Sequence, residues 1–564
     1  MGDAVAHRGR DGHGRLVRGP LGVVHYRLAI FDPTPRSRQP MVDADRGLTL
    51  VYNGALYEHE TLRDELSGRG HAFATTSDTE VLLAAYAEWG SDCVSHLQGQ
   101  FAFAIHDAKA ERLVLARDPM GIKPLYVARV PGGVRFASTL PSLVAGGDVD
   151  TSVDPVALHH YLTLHGIVPA PRTILRGVAK LEPGQIVEVD HDGRQRARTY
   201  WSYPTPRPDA AVGVEALTSS LRTALSRRLA GDADVAVLLS GGLDSSLLVA
   251  LAHEAHAGPL DTFSVGFDGD AEVRGDEFEY SDLVARRYGT RHHQLRVSAA
   301  QVHAGVDDCI AAMSEPMLSH DAVAFMLLSR QVAGSHRVVL SGQGADEVFA
   351  GYHWYARLAA TRGTDPLLAY AGEFFDRPHA GVLQILAPDL RGPDETTAWL
   401  RGVARPLGPD ATPVETALWI DGAQMLAGDP LLRVDSMMMS SAVEARLPFL
   451  DLDVLQVAAA IPVADKLASG GKGVLKQVAR AWLPDVLIDR PKAYFPVPAL
   501  MRPSGWLTHV RDAIASPRAR ARGLWNRDRV DAWLRDPQAE RSSMGVGGLW
   551  QIGVLERWFS HLGL

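Results

Sequence analysis

Between about Leu21 and Val187 the apolar residues come in short runs of Val, Leu and Phe separated by Gly, Pro and Asp, as in GLTLVYNG, GQFAFAIHD, ERLVLARD and GVRFAST. Runs of this length predict many short β-strands, so this part of the chain is expected to be sheet-dominated. The pattern breaks at YWSYPTPRPDAAVG, residues 200–213, which carries three prolines and few large aliphatics. Beyond it DVAVLLS (Asp234–Ser240), TFSVGF (Thr262–Phe267), HQLRV (His293–Val297) and HRVVLS (His336–Ser341) read as strands separated by Ala- and Leu-rich helical segments. Strand and helix in alternation predict an α/β unit with a parallel sheet and helices on its faces. From about Thr364 onward the pattern is mainly helical. A boundary is expected near Pro206, giving units 1–205 and 206–564.

The length supports this division, because 564 residues exceed one ordinary core. A hydrophobic share of 46% and a charged share of 22% are those of a soluble globular protein, and no apolar run approaches the roughly 20 residues of a membrane span. A net charge of −9, without a basic stripe, argues against nucleic acid as a partner. The only cysteines, Cys93 and Cys309, are too far apart in sequence for a disulfide framework or a metal-site spacing, and the start MGDAVAHRGRDGHG has no apolar signal core. The expected location is therefore the cytoplasm.

The strongest chemical signal is VAVLLSGGLDSSLLVALA, residues 235–252: an apolar strand, a turn of small and hydroxyl residues, then a helix. Gly241 and Gly242 let backbone amides approach an anion, Ser240, Ser245 and Ser246 offer hydroxyls, and the helix start adds its positive end. These features predict a pyrophosphate cradle. A carboxylate beside phosphates needs a cation between them, so Asp244 is assigned to Mg²⁺. An ordinary capped turn would explain a bare SGG, but not the full SGGLDSS with these flanks. GGKGVLK at Gly470 lacks the Ser or Thr of a Walker loop, and HEAH at His253 lacks HExxH spacing.

SGGLDSS resembles the loop of the pyrophosphate-loop ATPases, and LSGQGADEVFAGY (Leu340–Tyr352) resembles the second ATP loop of the glutamine-dependent asparagine synthetases. The resemblance implies an adenine nucleotide alpha hydrolase-like domain in which Leu239, Val265, Ser341 and Gly342 contact ATP and Asp346 helps organise the pyrophosphate and its metal. VEARLPFLDLDVLQVAAAIP and GGKGVLKQVARAWLP are also similar to that family. Lys472 falls where those enzymes keep a lysine on the α-phosphate. HYRLAIFD, YNGALY, TSDTE and ARDPMGIKPLY resemble landmarks of its glutaminase half, an α+β sandwich of the Ntn hydrolase type. The implied glutamine site comprises Arg27, Leu28, Ala29, Ile30, Phe31, Asn53, Gly54, Ala55 and Asp78. Arg27 and Asp78 would hold the charged end of glutamine, and Asn53 with the Gly54 amide would form the oxyanion hole. The implied reaction is ATP-dependent amidation of a small-molecule carboxylate, with nitrogen from glutamine or ammonia. Two-domain enzymes of this kind can form homodimers.

The sequence departs from the family in three places. Position 2 is Gly, where these enzymes carry a nucleophilic cysteine, and HRGRDG stands close to the start. The chain as given is therefore expected to use only free ammonia, with an upstream translation start as the favoured explanation and an ammonia-dependent paralogue as the alternative. Ala55 and Gln343 replace acidic residues, and SEPMLSHDAVAF (Ser314–Phe325) also differs, so the acceptor is expected not to be aspartate. These variants, with FASTLPSL, VDPVALHHYL, VPAPRTILRGV and DRPKAYFPVPAL, look most like N-acetylglutaminylglutamine amidotransferases. Asparagine synthesis and a catalytically silent nucleotide-binding paralogue are the rival expectations.

Overall fold

The computed structural model describes residues 1–564 apart from 210, 257, 269–275, 491–496, 502 and 538–546, and of 503–505 it describes the backbone alone. The short apolar runs of the first half form a six-stranded antiparallel sheet in the spatial order Gln195–Thr199, Gln185–Asp190, Arg112–Arg117, Gly99–Asp107, Leu48–Leu56, Met41–Asp43. Side chains alternate across a strand, and this sheet uses both faces. Phe101, Phe103 and Ile105 pack with Leu62, Leu66, Val81, Leu82 and Tyr86 of helices His59–Gly68 and Asp78–Trp89. Ala102 and Ala104 point the other way, toward Leu125, Val127 and Leu181 at a second sheet of Gly133–Ala137, Tyr126–Val130 and Val178–Lys180. The result is a helix–sheet–sheet sandwich, whose short strands follow the apolar runs. Cys93 lies fully buried in the helix-side core, where burial pushes its thiol up to about 12.

The second half is built on a five-stranded parallel sheet in the order Arg291–Val297, Asp261–Phe267, Val235–Leu238, Val338–Leu340, Glu444–Arg446. Four of these strands are legible in the sequence. The fifth, inside VEARLPF, is three residues long and fully buried, too short to show a period. Helix Leu243–Ala255 is buried at every position from Ser245 to Ala252, which explains its all-round apolar sequence. From Val235–Leu238 the chain adds strands outward in one direction, then returns to add Val338–Leu340 on the other side. This reversal brings the loops after Leu238 and after Leu340 together at the carboxyl ends of adjacent strands, where open α/β sheets bind ligands.

The two halves share a core. Tyr126, Leu158 and Tyr161 pack with Val306, Trp550 and Trp558 in one cluster. Buried charges also cross the junction: Arg8 Nη2 donates to Asp435 Oδ2 at 2.8 Å and Lys123 Nζ to Asp435 Oδ1 at 3.2 Å. Lys123 is presented by the loop of ARDPMGIKPLY. In it Asp118 accepts from the Met120, Ile122 and Lys123 amides, while Arg117 donates to the carbonyls of Gly121, Lys123 and Leu181. Among the described residues, no helix is long and apolar enough to cross a membrane.

Candidate active site

At the strand reversal lies a cavity of about 840 Å³. Its wall includes Leu239, Ser240, Gly242, Asp244 and Ser245 from the first loop, Ser341, Gly342, Gln343 and Asp346 from the second, and Val265 from the neighbouring strand. Hydroxyls shape the first loop: the Ser240 and Gly242 amides donate to Ser245 Oγ at 3.2 Å and Ser240 Oγ at 3.3 Å. Ser246 of the expected cradle is fully buried in the helix and is not part of the cavity wall. Gly241 also lies outside the wall; its carbonyl accepts from Arg490 Nη2 at 3.0 Å.

Lys472 and the two assigned carboxylates come together. Lys472 Nζ donates to Asp244 Oδ2 at 2.6 Å and stands 2.7 Å from Asp346 Oδ1. Burial opposes the ammonium charge, but attraction from Asp244 and Asp346 outweighs it and holds Lys472 above the usual lysine value. The residue is 7% exposed and takes up the left-handed backbone conformation, φ 55°, at the entry to helix Gly473–Ala479. Lys472 is thus a buried, doubly paired residue and not a solvent-facing helix-start lysine. Gly351 makes room for the pair, since a Cβ there would stand 2.0 Å from Asp346 Oδ1 and 2.2 Å from Lys472 Cε. Two carboxylates beside hydroxyls form a hard oxygen set, which fits Mg²⁺ when phosphate oxygens complete the shell.

Sequence reasoning missed part of the wall. Arg490 donates to Glu277 Oε1 at 2.8 Å and stacks 4.0 Å over the Tyr280 ring, so it fixes the outer side of the phosphate loop. The only signal was its place in DRPKAYFPVPAL, of which residues 491–496 lie outside the described residues. Glu347 is buried and accepts from Tyr352 Oη at 2.7 Å; burial first, then the charge of Asp346, push it up to about 7. Arg433 Nη1 donates to Asp429 Oδ2 at 2.9 Å, and its Nε stands 3.3 Å from Asp321 Oδ1. Leu318, Ser319, His320, Asp321, Ala324 and Phe325 of the divergent SEPMLSHDAVAF segment also line the cavity. The divergent positions therefore face the space where an acceptor can sit.

The expected glutamine-site residues divide into two groups. Asn53 Nδ2 is buried and has no hydrogen-bond partner among the described residues. Gly54 follows it at φ 155°, and a Cβ there would fall 2.1 Å from Gln100 O, so no side chain fits. Arg27 lines a small cavity of about 60 Å³, yet its guanidinium already donates to the carbonyls of Thr34, Phe31 and Asp32. Asp78 is buried and accepts from Tyr52 Oη at 2.9 Å and the Leu56 amide at 3.1 Å, so here it braces a strand instead of facing a ligand. Ile30, Phe31 and Ala55 pack with Tyr57 and Val338 across the junction, with Leu28 against them. Their apolar side chains belong to the interface, and the Ala29 amide donates to Asp11 Oδ2 at 2.9 Å.

Known proteins agree with this layout. The family model "Asparagine synthase" matches residues 216–560, and "Glutamine amidotransferase domain" matches residues 1–201. Asparagine synthetase [glutamine-hydrolyzing] 3 of Bacillus subtilis is 30% identical over 597 residues, 100% of this chain and 94% of the relative. Asparagine synthetase [glutamine-hydrolyzing] 1 of the same organism is 29% identical over 605 residues, 99% and 93%. A Mycobacterium tuberculosis relative is 33% identical over 551 residues, 88% and 83%. The likeness thus runs through both halves and across the cavity between the two loops, and the chain belongs to the asparagine synthase family, with an N-terminal glutamine amidotransferase domain followed by an asparagine synthase domain.

Proposed function

We propose that this chain is a carbon–nitrogen ligase that activates a carboxylate with ATP and converts it into an amide, releasing AMP and pyrophosphate. The observation that carries the reading is Lys472 held between Asp244 and Asp346 at the mouth of the phosphate loop. In the first step a carboxylate oxygen of the acceptor bonds to the α-phosphorus of ATP, and the bond from that phosphorus to the bridging oxygen of pyrophosphate breaks. The loop amides and the hydroxyls of Ser240 and Ser245 bind the pyrophosphate. Asp244 and Asp346 would hold Mg²⁺, which when bound screens the phosphate charge. Lys472 lies where negative charge develops at the α-phosphate, and its raised pKa keeps it cationic. In the second step ammonia attacks the acyl carbon and AMP leaves with the bonding electrons. The nitrogen comes from glutamine through the first domain, or from ammonia itself.

The finer proposal is that the acceptor is N-acetylglutaminylglutamine. Two features favour an acceptor other than aspartate. Gln343 offers an amide at the cavity wall in place of a carboxylate. Apolar walls also come from two separate cores, with Trp354 and Phe374 from one and Trp506 and Trp550 from another. Aspartate is the second reading, and it rests on the names of the relatives.

The test is AMP and product formation by the purified chain with Mg-ATP, offering each acceptor with ammonium or with glutamine. Amidation of the dipeptide supports the full proposal. Asparagine formation replaces the acceptor, and the absence of AMP with either acceptor, despite ATP binding, removes the ligase reading.

A further inference from the structure

A second polar cluster lies away from the nucleotide cavity. His159 sits on helix Pro155–Thr163, His379 begins helix His379–Ile385, and Asp394 is the N-cap of helix Glu395–Val403. One ligand atom from each lies within 4.8 Å of the others, and none of the three residues lines the cavity. We propose that these residues form a binding site for a transition-metal dication such as Zn²⁺, which joins the last helix of the first half to the helical part of the second.

The ligand chemistry fits. Two imidazoles and a carboxylate are a usual donor set for Zn²⁺, and an ion with three protein ligands keeps a fourth position for water. His159 Nε2 and His379 Nδ1 are 2.8 Å apart. Tetrahedral coordination separates donor atoms by about 3.3 Å, so the two rings need to part by only about half an ångström.

The surroundings orient the first ligand. Thr396 Oγ1 is fully buried and lies 2.7 Å from His159 Nδ1 and 3.0 Å from His160 Nδ1. A hydroxyl has one proton, so it accepts from one ring and donates to the other. With His159 Nδ1–H donating to it, His159 Nε2 presents a lone pair toward His379 and Asp394. This is the arrangement in which a second hydrogen bond fixes a metal-bound histidine. His379 Nδ1–H then donates to His159 Nε2, and the ion takes the place of this proton as the His379 ring changes to the tautomer protonated on Nε2.

Asp394 accepts from the Thr397 amide at 3.0 Å and from Thr397 Oγ1 at 2.8 Å, which holds the carboxylate in position. An isolated N-cap aspartate beside a histidine pair would explain the capping, but not the convergence of three helices from two halves on one point.

The test uses the full-length untagged chain, stripped with a chelator and titrated with Zn²⁺ by calorimetry in the absence of ATP. One equivalent is expected to bind, and the melting temperature is expected to rise. With Co²⁺ the same site should give the visible bands of tetrahedral coordination. His379→Gln and Asp394→Asn are expected to abolish the saturable site, the latter while keeping a good N-cap. Thr396→Val is expected to weaken binding about 10–100-fold by freeing His159, and His253→Gln should bind as the unaltered chain does. No binding by the unaltered chain, or full binding by both His379→Gln and Asp394→Asn in folded protein, would overturn the proposal.

Discussion

Lys472 Nζ lies 2.6 Å from Asp244 Oδ2, although 228 residues separate the two in sequence. With Asp346 on its other side, the ammonium neutralises one of two carboxylates that would otherwise repel both each other and any phosphate. Lys472→Met is therefore expected to lower the rate of acceptor-dependent pyrophosphate release by about 100–1,000-fold. ATP binding, measured separately, should persist through the loop amides. An unchanged turnover would remove Lys472 from the chemistry.

Gly351 tests the same pair through the backbone. A methyl group there meets Asp346 and Lys472 Cε well inside contact distance, so one of the two side chains has to move. Displacing a reacting constellation by about 1 Å can cost about 100-fold in rate. Gly351→Ala is expected to fold and to lose turnover on that scale, with little change in melting temperature. A large fall in stability together with normal turnover would show that Gly351 serves packing alone.

Much of this site is legible in the sequence because its parts are local. SGGLDSS and SGQGADE each follow a buried apolar strand, and each needs only its own turn to present amides, hydroxyls and a carboxylate. That the two loops meet depends on the strand order, which no local pattern encodes. Lys472 was legible only by resemblance, since a left-handed lysine with both carboxylate partners more than 100 residues away leaves no periodic trace. The same limit applies to Ser246, whose hydroxyl looks available in the motif but turns into the core once the helix is placed. Ile30, Phe31 and Ala55 were read as belonging to a ligand site because their neighbours match one. Only the packing of the two halves reveals that their side chains close an interface.

Glu347 makes the stability depend on pH. Its value in the folded chain is raised from 4.5 to about 7 by burial and by Asp346, against the bond from Tyr352 Oη. A carboxyl raised in this way favours the folded state fully below pH 4.5, and that contribution is lost as pH rises through about 7. Glu347→Gln keeps an acceptor for Tyr352 and removes the ionisation. The melting temperature of this variant relative to the unaltered chain is expected to climb between pH 5 and 8 and to level off above. A difference that stays flat across that range would place the titration elsewhere.

Lys123 and Asp435 offer the sharpest test of how the halves are joined. Their side chains are 2% and 1% exposed, and Arg8 completes the pairing on the far oxygen of Asp435. The attraction of Arg8 and Lys123 outweighs burial and holds Asp435 below the usual carboxylate range. Lys123 also stands 3.8 Å from Glu444 Oε2, on the buried edge strand that pairs with Val338–Leu340, the strand leading into the second loop. Lys123→Met leaves two carboxylates buried with less compensation, and breaking a buried pair in this way costs about 3–5 kcal/mol. Because the first half supplies the lysine and the second the aspartate, the loss should fall on the junction. Calorimetry of the variant is expected to resolve two unfolding transitions where the unaltered chain shows one. Lys123→Met/Asp435→Asn should recover none of the stability, since it leaves Arg8 buried without its carboxylate. A single, unshifted transition in Lys123→Met would mean that the apolar core around Tyr161 and Trp558 holds the halves together without help from the ion pair.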